Sequence, residues 1–176
     1  MVGYSEVIQT RAARIIFSII LMNANSMIHR NTMIQISGEM EQEIISIGQE
    51  IIEEARSKSF DNVTVNAAAP PAIIPGGFTA PANLGPDAGE FTRAEFDDFD
   101  DYDGYGCAEN APPITTTHGD FSICVSVFYV DYPGFNKINT QSTFKKIEID
   151  IQSEFIRDGS EPRTYTLEFI RNYYAD

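Results

Sequence analysis

The sequence lacks the residues on which several large functional classes depend. It has two cysteines, two histidines far apart in the chain and no tryptophan, so cysteine alone cannot supply a four-ligand structural zinc site. Bases are scarce too: 12 Lys and Arg against 26 Asp and Glu give the 176 residues a net charge of -14. Such a charge repels phosphate backbones and anionic lipid headgroups, so no nucleic acid is expected as a partner.

The chain also lacks a long uninterrupted apolar run. The longest, at residues 15–22, is much shorter than the roughly 20 residues that span a bilayer comfortably. The first residues do not show a basic segment followed by an apolar run and a small-residue cleavage site. We therefore expect either a cytosolic chain or a mature chain from which a leader has been removed.

Proline is missing before Pro70, and the segment from about residue 6 to residue 57 predicts one long helix. Its only glycines are Gly38 and Gly48, each costing about 1 kcal/mol in a helix. Met40, Ile44, Ile47 and Ile51 are spaced four, three and four residues apart, which keeps them on one helix face. The alternative is two shorter helices, broken near residues 23–25 or at Gly38.

A helix of about 52 residues would be about 78 Å long, which exceeds what the rest of the chain can cover. We therefore expect two domains: a helix over residues 1–58 with its N-terminal half projecting, and a globular head over residues 59–176. The projecting half would expose isoleucines and Phe17. Exposed apolar surface on that scale predicts association with other helices or with a membrane.

The middle of the chain is unusually acidic. An Ala-, Pro- and Gly-rich connection over residues 67–89 leads into a segment, residues 95–106, that we call the acidic loop. It contains five aspartates: Asp97, Asp98, Asp100, Asp101 and Asp103. Two interpretations are open. Some of these carboxylates bind Ca²⁺, a hard cation that prefers oxygen ligands, without forming an EF-hand. Alternatively, the loop is solvated and held by Phe96, Phe99, Tyr102 and Tyr105, with aspartates capping turns.

Three alternating segments near the C-terminus predict an antiparallel sheet. Residues 121–130 and 144–151 alternate apolar and polar side chains, and Tyr165, Leu167 and Phe169 form a third such run. Turns are predicted at residues 131–134 and at Asp158-Gly159. One apolar face needs a cover, for which the helix stripe at residues 40–52 is suited. The expected fold class is α+β, with the long N-terminal helix packed on a C-terminal antiparallel sheet.

The two cysteines favour a disulfide. A bond between Cys107 and Cys124 would attach the acidic loop to the first strand, closing about 18 residues and adding about 3 kcal/mol of stability. Such a bond implies an oxidising compartment. The alternative is two free thiols in a cytosolic protein.

Together, the half-exposed helix, the helix-covered sheet and the disulfide resemble a type IV pilin or pilin-like protein. Leu84-Gly-Pro-Asp-Ala-Gly-Glu90, the run Phe96-Asp-Asp-Phe-Asp-Asp-Tyr-Asp-Gly-Tyr105 and Phe144-Lys-Lys-Ile147 are similar to the layout of the mannose-sensitive haemagglutinin pilus type and its relatives in other Gram-negative phyla. The sequence departs from the family in two ways. Its glutamate is at position 6 rather than 5, and Arg11 and Arg14 interrupt the apolar run.

The resemblance implies a structural, non-enzymatic subunit of an extracellular, cell-surface filament, present in its mature form and associated with cell adhesion. Its partners would be further copies of itself in a helical homopolymer and the pilus assembly machinery in the membrane. Glu6 of a neighbouring helix would neutralise Arg11 and Arg14, since a buried unpaired charge is costly. The implied filament-core residues are Glu6, Ile15, Ile16, Phe17, Ile19, Ile20 and Leu21. No cofactor is implied, apart from the calcium that the acidic loop suggests.

Three alternatives remain open. A minor pilin or secretion pseudopilin would cap or prime a filament, and a secreted calcium-dependent binding module would act as a monomer. An enzyme could use Asp98 and Asp101 as acid and base. However, no nucleophile–base pair or glycine-rich phosphate loop accompanies them in the sequence, so we expect no enzymatic activity.

Overall fold

A computed structural model describes residues 3–175, in which one helix, α1, runs without interruption over Tyr4–Ser57. The long helix predicted from the sequence is confirmed, and the alternative of two shorter helices is wrong. Residues 23–25 and Gly38 lie inside α1, because a single glycine weakens a helix without ending it. Residues 1, 2 and 176, which the two predicted domains include, lie outside the described residues.

The chain divides into two compact units, Met1–Glu41 and Gln42–Asp176. We call their described parts the helical unit, residues 3–41, and the sheet unit, residues 42–175. Residues 42–57 of α1 therefore belong to the same unit as the sheet, whereas the sequence predicted a boundary after residue 58. In the helical unit, every residue from 3 to 36 is exposed.

The sheet unit contains four antiparallel strands in the order β1-β2-β3-β4. They are β1 (Ile114–Thr116), β2 (Gly119–Tyr129), β3 (Phe144–Asp158) and β4 (Glu161–Asn172). The three predicted strands and the α+β fold class are confirmed. The short β1 was not predicted, and β3 continues well past residue 151 through a register shift between Gln152 and Arg157.

The core of the sheet unit lies on one face of the sheet. Ile147, Ile149 and Ile151 of β3 are fully buried, as the alternating pattern predicts. On residues 42–57 of α1, Ile44 and Ile51 are fully buried as well. A Cβ built on Gly48 would lie 2.7 Å from Cδ2 of Leu167, so this glycine is a point where α1 approaches β4 closely. Tyr165, Leu167 and Phe169, the third apolar run, are only half-buried.

The residues between α1 and β1 form loops with short 3₁₀ turns at Asn62–Thr64, Pro81–Asn83 and Asp100–Tyr102. The connection over residues 67–89 is irregular, as its composition predicts. A cluster of aromatic side chains, Phe60, Phe78 and Tyr173, anchors these loops, with ring centroids 5.1 to 5.4 Å apart. The packing of these rings therefore attaches the loops to the rest of the sheet unit.

Candidate functional site

The acidic loop is bound to the sheet unit through its backbone. Gly104 N donates to Val125 O and Val125 N donates to Tyr105 O, both at 2.9 Å, so the loop adds a pair of hydrogen bonds beside β2. At its other end, Phe99 N donates to Ser59 O at 2.9 Å, just after α1 ends. These contacts hold the loop between the end of α1 and the first long strand.

The aromatic side chains of the acidic loop are anchors, as the sequence predicts. Phe96, Phe99 and Tyr102 are buried, and the Phe96 ring meets the Tyr102 ring edge-on at 5.1 Å. However, the loop is not simply solvated. Asp98, Asp100 and Asp101 are at most 2% exposed, whereas Asp97 is exposed and Asp103 is half-buried. These three aspartates are buried because the aromatic residues next to them in the sequence pack in the interior.

The disulfide predicted between Cys107 and Cys124 is confirmed. The two sulfur atoms are 2.06 Å apart and the two Cα atoms 4.3 Å apart. The bond joins the end of the acidic loop to the middle of β2. The loop is therefore attached covalently, in addition to its backbone hydrogen bonds.

The structure brings three of the five aspartates together and places two elsewhere. Carboxylate oxygens of Asp98 and Asp101 lie within 4.8 Å of one another and of an oxygen of Asp87. Asp97 and Asp101 form a second such group with Glu90. The prediction of calcium binding therefore now concerns these five carboxylates. Asp87 and Glu90 were not among the predicted ligands, although they lie in the same acidic stretch of sequence.

The other two predicted ligands have different partners. Asp103 Oδ1 accepts a hydrogen bond from Val127 N at 2.7 Å, which fixes the loop to β2. Asp100 Oδ1 forms an ion pair with Nζ of Lys145. Neither carboxylate belongs to the two oxygen groups described above, so the five aspartates serve at least three separate local purposes.

Burial changes the acidity of these carboxyl groups. Burial, together with the neighbouring Asp100 and Asp101, raises the pKa of Asp98 to about 9, while Lys145 opposes the shift. Burial also raises the pKa values of Asp100 and Asp101. Asp98 is therefore protonated at neutral pH and holds a backbone contact, in which its Oδ1 accepts from Asp100 N at 2.7 Å.

Lys145 is the most unusual residue of the site. It lies on the apolar side of β3, in phase with Ile147 and Ile149, and its side chain is fully buried. Its Nζ donates to Phe60 O at 2.8 Å and to Asp61 Oδ2 at 2.8 Å, as well as to Asp100 Oδ1. Buried cations of this kind need several oxygen partners, because desolvation is costly.

Asp61 is held by an unusually complete set of donors. Thr79 donates to it from its backbone N at 3.0 Å and from its hydroxyl at 3.0 Å. Tyr129 OH shares its single proton between Oδ2 of Asp61 at 3.2 Å and Thr79 O at 2.8 Å. Val63 N adds a fourth, weaker contact at 3.4 Å. Burial, followed by the charges of Asp61 and Asp100, raises the pKa of Tyr129, so this hydroxyl stays a donor. These contacts fix the carboxyl group of Asp61 in position.

A second ionic cluster connects Arg93, just before the acidic loop, and Tyr102, within it, to residues 42–57 of α1. Arg93 Nη2 donates to Glu50 Oε1 at 3.0 Å and to Glu54 Oε2, and Tyr102 OH donates to Glu54 Oε1 at 2.8 Å. Burial alone would raise the pKa of Glu54, but the hydrogen bonds from Arg93 and Tyr102 lower it. This cluster has an evident structural role, since it fixes the loop on the helix.

Sequence reasoning missed Lys145 and Asp61. A signal for Lys145 exists: residues 145, 147, 149 and 151 share one face of a strand, so a lysine at 145 falls on the face that isoleucines bury. For Asp61 the neighbouring sequence indicates only that it begins a turn. It caps the Asn62–Thr64 turn through Val63 N and through a reciprocal contact with Thr64. Nothing in the sequence pairs it with a lysine 84 residues away.

In the helical unit, the predicted filament-core residues are all exposed. The six apolar side chains of this set are between 51% and 61% exposed: Ile15, Ile16, Phe17, Ile19, Ile20 and Leu21. Glu6 lies in the first turn of α1 and is exposed as well. By length and composition, α1 also contains an 18-residue window apolar enough to cross a membrane, and that window is 0% buried.

Comparison with known proteins adds no relative: no family model, curated protein or solved structure matches this chain.

Proposed function

We propose that this chain is a structural subunit of an extracellular, type IV pilus-like filament, which polymerises through its N-terminal helix. The observation that carries the proposal is the exposure of residues 3–36, a stretch in which large apolar side chains recur. A soluble monomer rarely leaves so much contiguous apolar surface in water. A neighbouring helix of the same kind is the simplest cover.

The free energy gained by burying apolar surface favours polymerisation. Covering a few hundred Å² of apolar surface per neighbour is worth several kcal/mol at about 25 cal/mol per Å². In a helical filament each subunit has several such neighbours, because contacts that do not close into a ring repeat indefinitely. Assembly machinery in the membrane is the second partner of this proposal. The membrane-compatible window of α1 suits a subunit held in the bilayer before assembly.

The disulfide of the sheet unit and the net charge of the whole chain both fit an extracellular site. The Cys107–Cys124 disulfide is typical of proteins that mature in an oxidising compartment. The net charge of -14 favours solubility of a surface exposed to the medium. In this proposal the subunit has no enzymatic activity. The carboxyl groups of the acidic loop are accounted for by backbone contacts, by Lys145 and by the two oxygen groups that calcium binding would use.

Electron microscopy of the native extracellular fraction tests the proposal. Thin helical fibres with this chain as their main component are expected. The double variant Phe17→Asp/Ile20→Asp should abolish fibres, because it puts charges into the apolar contacts. Ile73→Asp is the matched control: Ile73 is 69% exposed, but it lies in the sheet unit, so this variant should assemble normally. Fibres formed equally well by all three chains would overturn the proposal.

Three further measurements separate the alternatives. Removing residues 1–25 should leave a folded, soluble monomer, and an unfolded product would contradict the two-unit arrangement. If the chain is found only in trace amounts in the fibres, it is a minor pilin or pseudopilin. Repeating the microscopy with a calcium chelator tests the calcium prediction. Monomers that bind calcium and never form fibres would favour the secreted binding module.

A further inference from the structure

The buried pair formed by Lys145 and Asp100 places a primary amine against a carboxyl group where water is excluded. The Lys145 side chain is 0% exposed and that of Asp100 is 3% exposed. Aromatic rings cover the amine: Nζ lies 4.7 Å from the ring centroid of Phe60 and 5.3 Å from that of Tyr129. An amine and a carboxyl group held in contact have the reactants and the dry surroundings that amide formation requires.

We propose that Nζ of Lys145 and Cγ of Asp100 condense into an intramolecular amide, an isopeptide bond between β3 and the acidic loop. One N–C bond forms and one C–O bond of the carboxyl group breaks. The ammonium gives up two protons, and the departing oxygen leaves with both of them as water. The step needs neither an oxidant nor a reductant, and it is independent of the filament proposal.

Asp61 is suited to carry a proton in this step. Its Oδ2 lies 2.8 Å from Nζ, so it can take a proton from the ammonium and make the amine nucleophilic. It can then return that proton to the departing oxygen, since both groups contact the same Nζ. Thr79 and Tyr129 hold its carboxylate in place for this role.

The same contacts assign Asp100, rather than Asp61, as the acyl partner. Val63, Thr79 and Tyr129 already donate hydrogen bonds to the carboxyl oxygens of Asp61 and hold that group in place. The Asp100 side chain accepts from Lys145 and contacts the carboxyl group of Asp98. The amine therefore reacts with the less restrained of the two carboxyl groups, that of Asp100.

Proximity lowers the activation barrier that two separate side chains in water would face. Well-oriented intramolecular reactions reach effective molarities of about 10⁵ to 10⁸ M, and exclusion of water disfavours the reverse hydrolysis. The product would complement the disulfide. Cys107–Cys124 joins the end of the acidic loop to β2, and the amide would join its middle to β3, so two neighbouring strands would hold the loop covalently.

Intact-mass spectrometry of the reduced and alkylated full chain tests the bond directly. Loss of one water should make the protein about 18 Da lighter than its alkylated sequence. After trypsin, cleavage behind Lys145 should be missing, and residues 94–137 should be recovered joined to residues 138–146. A full sequence mass with normal cleavage behind Lys145 would refute the bond. A link to residues 59–93, which contain Asp61, would refute the assignment of Asp100.

Variants then assign the roles. Lys145→Met and Asp100→Ala should each show the full sequence mass, whereas the matched control Lys146→Met should still lose water, because Lys146 pairs instead with Glu148 and Glu168. Asp61→Asn should lower the cross-linked fraction at least about tenfold, as loss of a general base does. An unchanged cross-linked fraction in Asp61→Asn would remove Asp61 from the mechanism. If a variant fails to fold, the mass of the wild-type chain still decides the proposal.

Discussion

The two units of the chain place their side chains in opposite ways. In the helical unit large apolar side chains are exposed to solvent: Ile16 is 59% exposed and Phe17 is 61% exposed. In the sheet unit charged groups are buried: Lys145 and Asp61 are both 0% exposed. The helical unit thus inverts the usual distribution of residues between interior and surface, whereas the sheet unit has an apolar core with a few charged exceptions.

The difference teaches where each unit finds its partners. Charges in the sheet unit have theirs within the same unit, in Lys145 with Asp61 and Asp100, and in Arg171 with the carbonyl oxygens of Ala55 and Ser59. Apolar groups of residues 3–36 have none among the described contacts of the chain, and α1 is held there by its own backbone hydrogen bonds. Substitutions of buried charges in the sheet unit should therefore change folding stability, whereas substitutions of exposed apolar side chains in the helical unit should change association.

At neutral pH the largest effect of a substitution should come from removing the buried cation. Lys145→Met removes the side chain that contacts both Asp61 and Asp100. Breaking the buried ion pair alone costs about 3–5 kcal/mol of unfolding free energy, and loss of the proposed amide adds to that cost. Urea denaturation followed by tyrosine signals measures it, because every tyrosine except Tyr4 lies in the sheet unit. The control Arg14→Met removes an exposed charge from the helical unit and should change stability by less than about 0.5 kcal/mol. If both variants lowered the unfolding free energy by an equally small amount, the proposed contrast between the two units would be wrong.

Reduction of the disulfide should rank second. Opening Cys107–Cys124 frees a loop with a sequence separation of 17, which is worth about 3 kcal/mol. The urea midpoint of the tyrosine signal should fall on addition of reductant. The Cys107→Ser/Cys124→Ser variant should start at that lower midpoint and show no further response to reductant. A midpoint that does not move on reduction would mean that the backbone contacts of the acidic loop suffice.

The pH dependence of stability should follow Asp98. Its pKa is about 9 in the folded chain, against 3.8 for an ordinary aspartate, so the folded state keeps a proton that the unfolded state loses. Stability should therefore fall as the pH rises from about 4 towards 9, by at most about 1.4 kcal/mol per pH unit for this one group. Asp98→Asn cannot titrate and should flatten the curve. A wild-type curve that rises between pH 5 and 8 would contradict the assignment.

Much of the fold could be predicted because its signals are local. The absence of proline and the four-three-four spacing of Met40 to Ile51 indicated α1, and strict alternation indicated β2 and the first half of β3. Strand β1 was missed because its three residues, Ile114–Thr116, are too few to show a period. The extension of β3 was missed because a register shift interrupts its alternation after Gln152.

The candidate site was harder to predict, since its contacts are not local. The aspartates of the acidic loop were found as a group, but their separate partners depend on chain segments far apart in sequence. Asp100 meets Lys145 from 45 residues away, and Asp103 meets Val127 from 24 residues away. Charge density in the sequence predicted a cation for the loop. The structure shows that the lysine on the apolar face of β3 is one such cation.

The smallest effect on stability should come from substituting the two glycines of α1. One lies in each unit, so they compare the two units at the same residue type. A Cβ on Gly38 in the helical unit meets nothing within 4 Å, so Gly38→Ala should raise helix stability by up to about 1 kcal/mol. A Cβ on Gly48 in the sheet unit would lie 2.7 Å from Leu167 Cδ2, and relieving that overlap should offset the same gain. The midpoint of thermal unfolding, followed by circular dichroism, should therefore be higher for Gly38→Ala than for Gly48→Ala. If the midpoint were higher for Gly48→Ala, the Leu167 side chain would move aside without cost. Residues 42–57 of α1 would then not be tightly packed on the sheet.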